Sequence, residues 1–269
     1  MNIHQALTIA GSDSGGGAGI QADLKTFQEL GVYGMSVITA VTAQNTAGVQ
    51  GVYPVEMEGV IQQLNSIGED LAPDAVKTGM LFSADIIREV AQAVRRHGWR
   101  QLVIDPVMVA KGGSVLLQQQ AVRALIDELL PLAAIITPNV PEAELLTGMT
   151  IHTLAEREEA ARQLVQMGAR YAVVKGGHDL STNQAVDVLY DGEQFHYTES
   201  PRIDTPHTHG TGCTYSAAIT AELARGSDML SAVRTAKAFV QAAIADGLGI
   251  GSVHGPTNHF AYRRKGAVL

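Results

Sequence analysis

Cysteine, basic clusters and long apolar runs are scarce in this chain. One cysteine among 269 residues excludes an internal disulfide. The longest apolar stretch, 129–136, contains Pro131 and falls far short of the roughly 20 residues that cross a bilayer. Residues 1–11 lack the basic start and the apolar run of a secretory signal. We therefore expect a cytoplasmic protein that does not span a membrane.

Positive charge is also in short supply. Lysine and arginine total 19 against 27 acidic residues, so the formal net charge is −8, and no basic stripe is visible. A protein that neutralises a phosphate backbone needs such a stripe, and we expect no nucleic-acid partner. The motif G-x-x-x-x-G-K-[ST] does not occur, which excludes a Walker-type phosphate loop.

The chain does contain a regular alternation of apolar runs and helical patterns. With 46% hydrophobic residues it can bury one large core, so we expect a single domain over residues 1–269. Strands alternating with helices are typical of an α/β fold, in which helices cover both faces of a mostly parallel sheet. Strands are predicted at 6–11, 35–42, 74–78, 101–105, 133–136 and 171–175. Helices are predicted from about residue 20, near 56–71, 83–97, 118–130 and 153–167, and at about 212–225 and 228–247.

One segment departs from this alternation. In "AVDVLYDGEQFHYTES" two β-type runs flank Asp191-Gly192, and this dipeptide is a strong hairpin signal. We expect an antiparallel hairpin at an edge of the sheet.

Candidate functional residues follow the predicted strands, where ligands of open parallel sheets bind. "GSDSGGGAG" (11–19) leads from the first strand into a helix, and its glycines allow a ligand to approach the backbone closely. Asp105 and Glu142 are candidate Mg²⁺ ligands at strand ends. Asn139 and Glu142 equally fit a helix capping box. Lys175 can reach a nucleotide phosphate as a point charge, or it can simply be solvated.

The single cysteine lies in "THGTGCTYSAAIT" (208–220), at a glycine-rich start of an apolar helix. Amides behind Gly210, Thr211 and Gly212 would stabilise negative charge on a transferring phosphoryl group. The same field would lower the pKa of the Cys213 thiol. Three interpretations stay open: a base or positioning group for a substrate hydroxyl, a covalent nucleophile assisted by His207 or His209, and an inert buried residue.

Five motifs carry a resemblance to a known family: the glycine-rich first loop, "DPVM" (105–108), "TPNVPEAE" (137–144), "VVKGGH" (173–178) and "HGTGCTYSAA" (209–218). This set resembles the ribokinase-like superfamily of small-molecule kinases. With "TAVTAQNT", "VKTGML" and "HGPTNHF", the chain is similar over nearly its whole length to hydroxymethylpyrimidine and hydroxymethylpyrimidine-phosphate kinases of thiamin biosynthesis. The resemblance implies a three-layer αβα sandwich and a homodimer.

The resemblance also implies roles for individual residues. Cys213 stands where most superfamily members have an aspartate that takes the proton from the attacking hydroxyl. Gln44 could pair with an aminopyrimidine edge, because a carboxamide offers the matching donor and acceptor. Asp23 would lie near the substrate hydroxyl, and residues 107–114 would form a mobile flap. The other expected substrate-binding residues are Gly11, Met80 and Val107.

The expected activity is ATP- and Mg²⁺-dependent phosphorylation of 4-amino-5-hydroxymethyl-2-methylpyrimidine and then of its monophosphate. Asp105 and Glu142 would bind the metal, and Asn139, Lys175 and Thr211 would bind the nucleotide. Pyridoxal kinase activity is the nearest alternative. Cysteine-bearing pyridoxal kinases tend to carry a second cysteine in the flap, where this chain has Ala110. A hydrolase with a cysteine nucleophile is a remote alternative, as is a noncatalytic nucleotide-binding module.

Overall fold

A computed structural model describes residues 3–108, 119–177 and 183–266. Residues 265 and 266 are described without their side chains. All the strands of this part of the chain belong to one sheet, in the order β3-β2-β1-β4-β5-β6-β7-β8-β9. The strands are β1 (Gln5–Asp13), β2 (Tyr33–Asn45), β3 (Gly48–Pro54), β4 (Ala75–Thr78), β5 (Leu102–Ile104), β6 (Ile135–Ile136), β7 (Tyr171–Val174), β8 (Gln184–Tyr190) and β9 (Phe195–Pro201). These strands form one continuous sheet.

Helices cover both faces of this sheet. The helices are α1 (Gly19–Glu29), α2 (Met57–Asp70), α3 (Ala84–His97), α4 (Gln119–Ala124), α5 (Val140–Thr147), α6 (Leu154–Gln166), α7 (Thr211–Ala224), α8 (Met229–Ala245) and α9 (Ala261–Gly266). Helices α2 to α6 pack on one face, and α1, α7 and α8 pack on the other. Within the described ranges, no helix is both long and apolar enough to cross a bilayer.

The central strands read as continuous apolar runs because both of their faces are buried. Adjacent residues of β1 illustrate this, since Leu7 packs into one core and Ala6 into the other. Strands β2, β1, β4, β5, β6 and β7 pair in parallel along the sheet. Their carboxyl ends therefore meet at one edge, as the sequence predicted for an α/β fold with a mostly parallel sheet.

The predicted hairpin is confirmed. Strands β8 and β9 pair antiparallel at one end of the sheet. The turn between them spans four residues, and Oδ1 of Asp191 accepts hydrogen bonds from the amides of Glu193 and Gln194. The aspartate of the Asp191-Gly192 signal thus stabilises the turn through its side chain.

Strand β3 was not predicted. It pairs antiparallel with β2 at the opposite edge of the sheet. Its segment, "GVQGVYP", contains two glycines and a proline, and none of its residues is fully buried. An exposed edge strand lacks the apolar run by which the other strands were recognised. The helix predicted at 118–130 also differs, because α4 continues as a π-helical turn over Leu125–Leu129 and a short 3₁₀ turn over Leu130–Leu132.

Helix α7 begins at a backbone position that requires glycine. Gly210, its N-cap residue, has φ +81°, in the left-handed region that side chains disfavour. A Cβ atom at this position would overlap the carbonyl group of Gly17. The start of α7 is therefore packed directly against the glycine-rich loop after β1.

This packing makes a stability prediction for Gly210→Ala. Gly226, just after the same helix, has φ +86° and no neighbour within 4 Å of an added Cβ, so Gly226→Ala serves as the matched control. The control substitution should lower the free energy of unfolding by about 1 kcal/mol, from backbone strain alone. Gly210→Ala should cost clearly more, because it adds a clash with backbone. Urea denaturation of the two variants measures the difference, and equal costs would contradict the contact with Gly17.

Candidate active site

A cavity of about 730 Å³ lies at the carboxyl edge of the parallel strands. Every residue that the sequence singled out lines it except Asp23: Gly11, Gln44, Met80, Asp105, Val107, Asn139, Glu142, Lys175, Gly210, Thr211, Gly212 and Cys213. These residues come from six separate strand ends and from the start of α7. The fold thus brings the predicted residues together in one cleft.

The glycine-rich loop is held by its own aspartate. Asp13 ends β1 and accepts hydrogen bonds from the amides of Gly15, Gly17 and Ala18 and from Nε2 of His209. Burial would raise the pKa of Asp13, but the bonds from His209, Ala18 and Gly15 outweigh it and lower the pKa. The loop is an ordered structure around an ionised carboxylate, which the sequence pattern did not predict.

Gln44 lies beside this aspartate. Nε2 of its carboxamide is 3.2 Å from Nε2 of His209, and Oε1 is 3.2 Å from Oγ1 of Thr42. The hydroxyl of Thr42 donates to the carbonyl oxygen of Ser12 at 2.8 Å. The side chain proposed to recognise the substrate is therefore connected to the glycine-rich loop through two neighbours.

Apolar groups line the same end of the cavity. A Cβ atom on Gly11 would meet the terminal methyl of Met80, so the glycine lets this methionine lie against the backbone. Val107 lines the cavity as well. Of the predicted flap, 107–114, residues 109–114 and with them Ala110 lie outside the described part of the chain.

Asp23 is the exception among the predicted residues. The resemblance implied that it approaches the substrate hydroxyl, but its carboxylate is fully buried beneath the cavity. Its Oδ2 accepts hydrogen bonds from Nζ of Lys77 at 2.9 Å and from Oγ1 of Thr8 at 2.6 Å. Lys77, not Asp23, lines the cavity. Asp23 thus lies beneath the cavity and borders it only through its hydrogen bond to Lys77.

Lys77 is the main residue that sequence reasoning missed. It lies in β4 with no exposed surface. Burial alone would lower its pKa, but Asp23 and Asp105 raise the pKa above its usual value, so the ammonium stays charged. The signal was a lone lysine inside the apolar run "AVKTG", since a charge in a buried strand needs a partner.

A second buried lysine, Lys175, pairs with Asp105. Nζ of Lys175 lies 3.4 Å from Oδ1 of Asp105, and Oγ of Ser216 lies 3.1 Å from Oδ2. Burial would lower the pKa of Lys175, but Asp105 and Glu142 raise it. The lysine is therefore a charged member of the cavity, and the interpretation as a solvated surface lysine is wrong.

Glu142 combines two functions that the sequence left as alternatives. Oδ1 of Asn139 accepts from the amide of Glu142, and Oε2 of Glu142 accepts from the amide of Asn139. The capping box of α5 is thus confirmed. The same carboxylate lines the cavity, where burial and Asp105 raise its pKa to about 7 although Lys175 lowers it.

Cys213 is the third residue of α7, half-buried in the first turn of the helix, and it lines the cavity. Burial, Asp105 and Asp23 raise the pKa of its thiol to about 12, although Lys77 and the amide of Gly19 lower it. The prediction that the helix N-terminus lowers this pKa is wrong, because desolvation and two carboxylates oppose the helix field. The thiol is protonated at neutral pH.

The two histidines closest to Cys213 in the chain have different surroundings. His209 lies 2.9 Å from Oδ2 of Asp13 through Nε2, and His207 packs beside Gly247 and Gly255. A cysteine nucleophile needs a base within hydrogen-bond reach. The geometry does not favour the hydrolase alternative.

The cavity continues past Lys175 to a region that the sequence did not predict. There β8, β9, α7 and α8 contribute a mixed surface, in which Nζ of Lys237 lies 2.9 Å from Oδ2 of Asp187. Its lining residues include Ala185, Asp187, Ser200, Ile203, Tyr215, Lys237, Val240 and Ile244. Polar groups thus dominate near Asp105 and Lys175, and apolar groups increase toward α8.

Metal binding was tested against the donor set. Among the described residues, no group of three histidine, cysteine, aspartate or glutamate side chains is arranged to hold a metal ion. Mg²⁺ typically uses one or two carboxylates together with substrate phosphates. Asp105 and Glu142 fit that pattern, because each destabilises the charge of the other and a cation between them would relieve the repulsion.

Comparison with known proteins shows the family of this chain. The sequence matches the phosphomethylpyrimidine kinase family over residues 13–258. Hydroxymethylpyrimidine/phosphomethylpyrimidine kinase from Bacillus subtilis is 57% identical, over 98% of this chain and 97% of that protein. Pyridoxine kinase from the same organism is 48% identical over 98% of each chain. The ADP complex of B. subtilis pyridoxal kinase superposes with a TM-score of 0.91 at 46% identity, over 98% of this chain and 100% of that one. The chain belongs to the phosphomethylpyrimidine kinase family.

Proposed function

We propose that this protein phosphorylates the hydroxymethyl group of 4-amino-5-hydroxymethyl-2-methylpyrimidine with ATP, and then phosphorylates the monophosphate, in thiamin biosynthesis. One observation carries the proposal. A single cavity contains the Gln44 carboxamide, the thiol of Cys213 at the start of α7, and the Asp105–Lys175 pair. This arrangement joins a group that reads a heterocycle to groups that hold phosphates.

The pyrimidine occupies the end of the cavity near Gln44. There Gly11, Met80 and Val107 provide apolar surface for the ring, and Gln44 pairs with its amino group and ring nitrogen. The hydroxymethyl group then points toward Cys213. Both acceptor substrates use this end, in two poses that differ in how far the ring lies from α7.

The nucleotide occupies the opposite end. Lys175 binds its phosphates as a point charge, and Asn139 and Thr211 offer polar groups along the same wall. The base lies toward α8, where the apolar side chains of Ile203, Val240 and Ile244 line the cavity. Asp105 and Glu142 hold Mg²⁺, which when bound neutralises charge on the transferring phosphoryl group.

The chemical step needs positioning and charge neutralisation more than a strong base. The new bond joins the substrate oxygen to the γ-phosphorus, the bond between that phosphorus and the bridging oxygen breaks, and ADP leaves. The amides of residues 210–213 face the charge that develops on the phosphoryl oxygens. Since the Cys213 thiol is protonated, its function in this proposal is to orient the hydroxyl, which loses its proton as the new bond forms.

Pyridoxal phosphorylation is the second candidate. Its support is the likeness to pyridoxine kinase and to the ADP complex of pyridoxal kinase from B. subtilis. Both candidate reactions transfer a phosphoryl group to a hydroxymethyl group on a six-membered ring, so the catalytic groups alone do not separate them. The Gln44 carboxamide favours the aminopyrimidine, because a pyridine ring has no amino group beside its ring nitrogen.

We extend the proposal to assembly and location. The family resemblance supports a homodimer, and Tyr33, Val41 and Tyr53 on β2 and β3 are exposed apolar side chains that a partner copy could cover. The composition and the single cysteine support a cytoplasmic location.

The substrate proposal predicts the result of an ADP-release assay. The purified protein should release ADP with the aminopyrimidine and again with its monophosphate, and pyridoxal should compete weakly. The specificity comparison is the ratio of kcat/KM values for the pyrimidine and pyridoxal, measured in one preparation. A ratio below one would reverse the order of the two candidates. Absence of turnover with the monophosphate would remove the second activity.

The function assigned to Cys213 predicts a flat pH profile. If the thiolate were the base, kcat would rise about tenfold per pH unit from about pH 8 to 10, because the thiol pKa is about 12. A positioning thiol gives a nearly constant kcat over this range. Cys213→Ser should then retain activity within about tenfold, since a hydroxyl also orients a hydroxyl. A steep rise in the wild type, or a thousandfold loss in the serine variant, would contradict this function.

The raised pKa of Glu142 predicts a pH-dependent stability gain for Glu142→Gln. In the nucleotide-free protein an ionised Glu142 is destabilising above about pH 7, and this cost disappears as pH falls toward 4.5. Glutamine keeps the capping box without the charge. In urea denaturation the variant should therefore gain up to about 3 kcal/mol at pH 8 and less than about 1 kcal/mol at pH 5.

The capping box of α6 offers the matched control. Glu156 occupies the same position in that helix, but it is exposed and hydrogen bonds from His152 and Thr153 lower its pKa. Glu156→Gln should therefore give no gain at either pH. A Glu142→Gln variant that loses stability at pH 8, or that retains wild-type Mg²⁺ dependence of turnover, would contradict the proposed metal ligand.

A further inference from the structure

We infer that the Asp13–His209 pair and Thr42 together fix the orientation of the Gln44 carboxamide, and that this fixed orientation selects an aminopyrimidine over a pyridine ring. The inference rests on the function proposed for the pyrimidine end of the cavity. His209 and Thr42 are thereby positioning residues, because they act on the substrate through Gln44.

The first constraint comes from His209. A carboxamide has two ends of the same shape, so its hydrogen-bond partners decide which end is oxygen and which is nitrogen. Oδ2 of Asp13 lies 2.9 Å from Nε2 of His209, and an ionised carboxylate only accepts hydrogen bonds. Nε2 of His209 therefore carries a proton. Nε2 of Gln44 lies 3.2 Å from this N–H, which sets two donors against each other, so we assign the opposite amide orientation, with the oxygen at this end.

The second constraint comes from Thr42 and is independent of the first. A hydroxyl has one hydrogen, and that of Thr42 is donated to the carbonyl oxygen of Ser12 at 2.8 Å. Only lone pairs of Oγ1 remain for Gln44 at 3.2 Å. Oε1 of Gln44 lies at this end and would be an acceptor facing those lone pairs, so the opposite orientation, with the nitrogen toward Thr42, is assigned here as well. Both neighbours thus demand the same orientation.

The resulting chain runs in one direction from the glycine-rich loop to β2. His209 donates to Asp13 and shares its proton with the oxygen of Gln44, whose nitrogen donates to Thr42, which donates to Ser12. One amide hydrogen and one oxygen lone pair of Gln44 remain for a ligand. Their order in space is fixed, because a flip of the carboxamide would break the contacts at both ends.

This fixed order matters for the choice between the two candidate substrates. In the aminopyrimidine, the amino donor and the ring-nitrogen acceptor are on adjacent atoms and match a carboxamide. In pyridoxal, a methyl-bearing carbon separates the ring nitrogen from the hydroxyl, so one carboxamide cannot pair with both. A Gln44 that could rotate freely would adapt to single donors or acceptors and would discriminate less.

The test uses two pairs of variants that leave Gln44 in place. His209→Leu removes the proton donor, and Thr42→Val removes the hydroxyl at nearly constant volume. Each should raise KM for the aminopyrimidine on the order of tenfold, the loss of about one oriented hydrogen bond. Neither should lower kcat substantially or raise KM for pyridoxal. His209→Gln, which restores a donor, and Thr42→Ser, which restores the hydroxyl, should recover the discrimination ratio.

Each outcome decides the inference. The discrimination ratio is kcat/KM for the aminopyrimidine divided by kcat/KM for pyridoxal. The inference would be overturned if this ratio were unchanged in both His209→Leu and Thr42→Val. Equal losses of kcat/KM with both substrates would also overturn it, because a merely structural function would give that result. If His209→Leu does not fold, as judged by thermal unfolding, the Thr42→Val and Thr42→Ser comparison decides alone. Wild-type protein that fails to phosphorylate the aminopyrimidine would overturn the proposed function and this selection together. An active wild type with unaffected variants overturns only the selection.

Discussion

The site depends on the mutual neutralisation of buried charges beneath the start of α7. Asp23 pairs with Lys77, Asp105 pairs with Lys175, and Glu142 lies close enough to both Asp105 and Lys175 to couple with them. A buried ion without a partner would cost several kcal/mol. Because the carboxylates and ammonium groups alternate, the two lysines remain charged although they are buried.

This balance determines what each group can do. Lys175 stays positive and is available to phosphates, while Glu142, with a pKa raised to about 7, is held at the edge of protonation until a cation reaches it. Cys213 is flanked by carboxylates as well as by Lys77, and its thiol stays neutral. The site is therefore prepared to receive a nucleotide and a metal and does not generate a strong base in their absence.

The sequence predicted this site well where local patterns determine position. Asp105, Asn139 and Lys175 were found because each closely follows a strand, and Glu142 because it begins the helix after β6. Parallel strands end at one edge of the sheet. The capping box of α5 was also predictable, because it involves residues three positions apart. The same reasoning applies to Gly210, which precedes an apolar helix.

The features that were missed depend on contacts between distant segments. Nothing near Asp13 in the chain indicates that it binds His209, and nothing in α1 indicates that Asp23 turns inward to Lys77. The pKa of Cys213 was predicted in the wrong direction, because the helix field is local and visible in the sequence, whereas the opposing carboxylates come from α1 and the end of β5. Strand β3 was missed since an exposed edge has no burial pattern.

The most direct test of this account is the titration of Cys213 in the nucleotide-free protein. The chain has one cysteine, so the rate of alkylation by iodoacetamide, followed by mass spectrometry, reports this thiol alone. The account predicts a rate that keeps rising with pH beyond about pH 10, because the thiol pKa is about 12. A rate that reaches its plateau below about pH 8.5, the ordinary range of a free thiol, would contradict the charge balance proposed for the site.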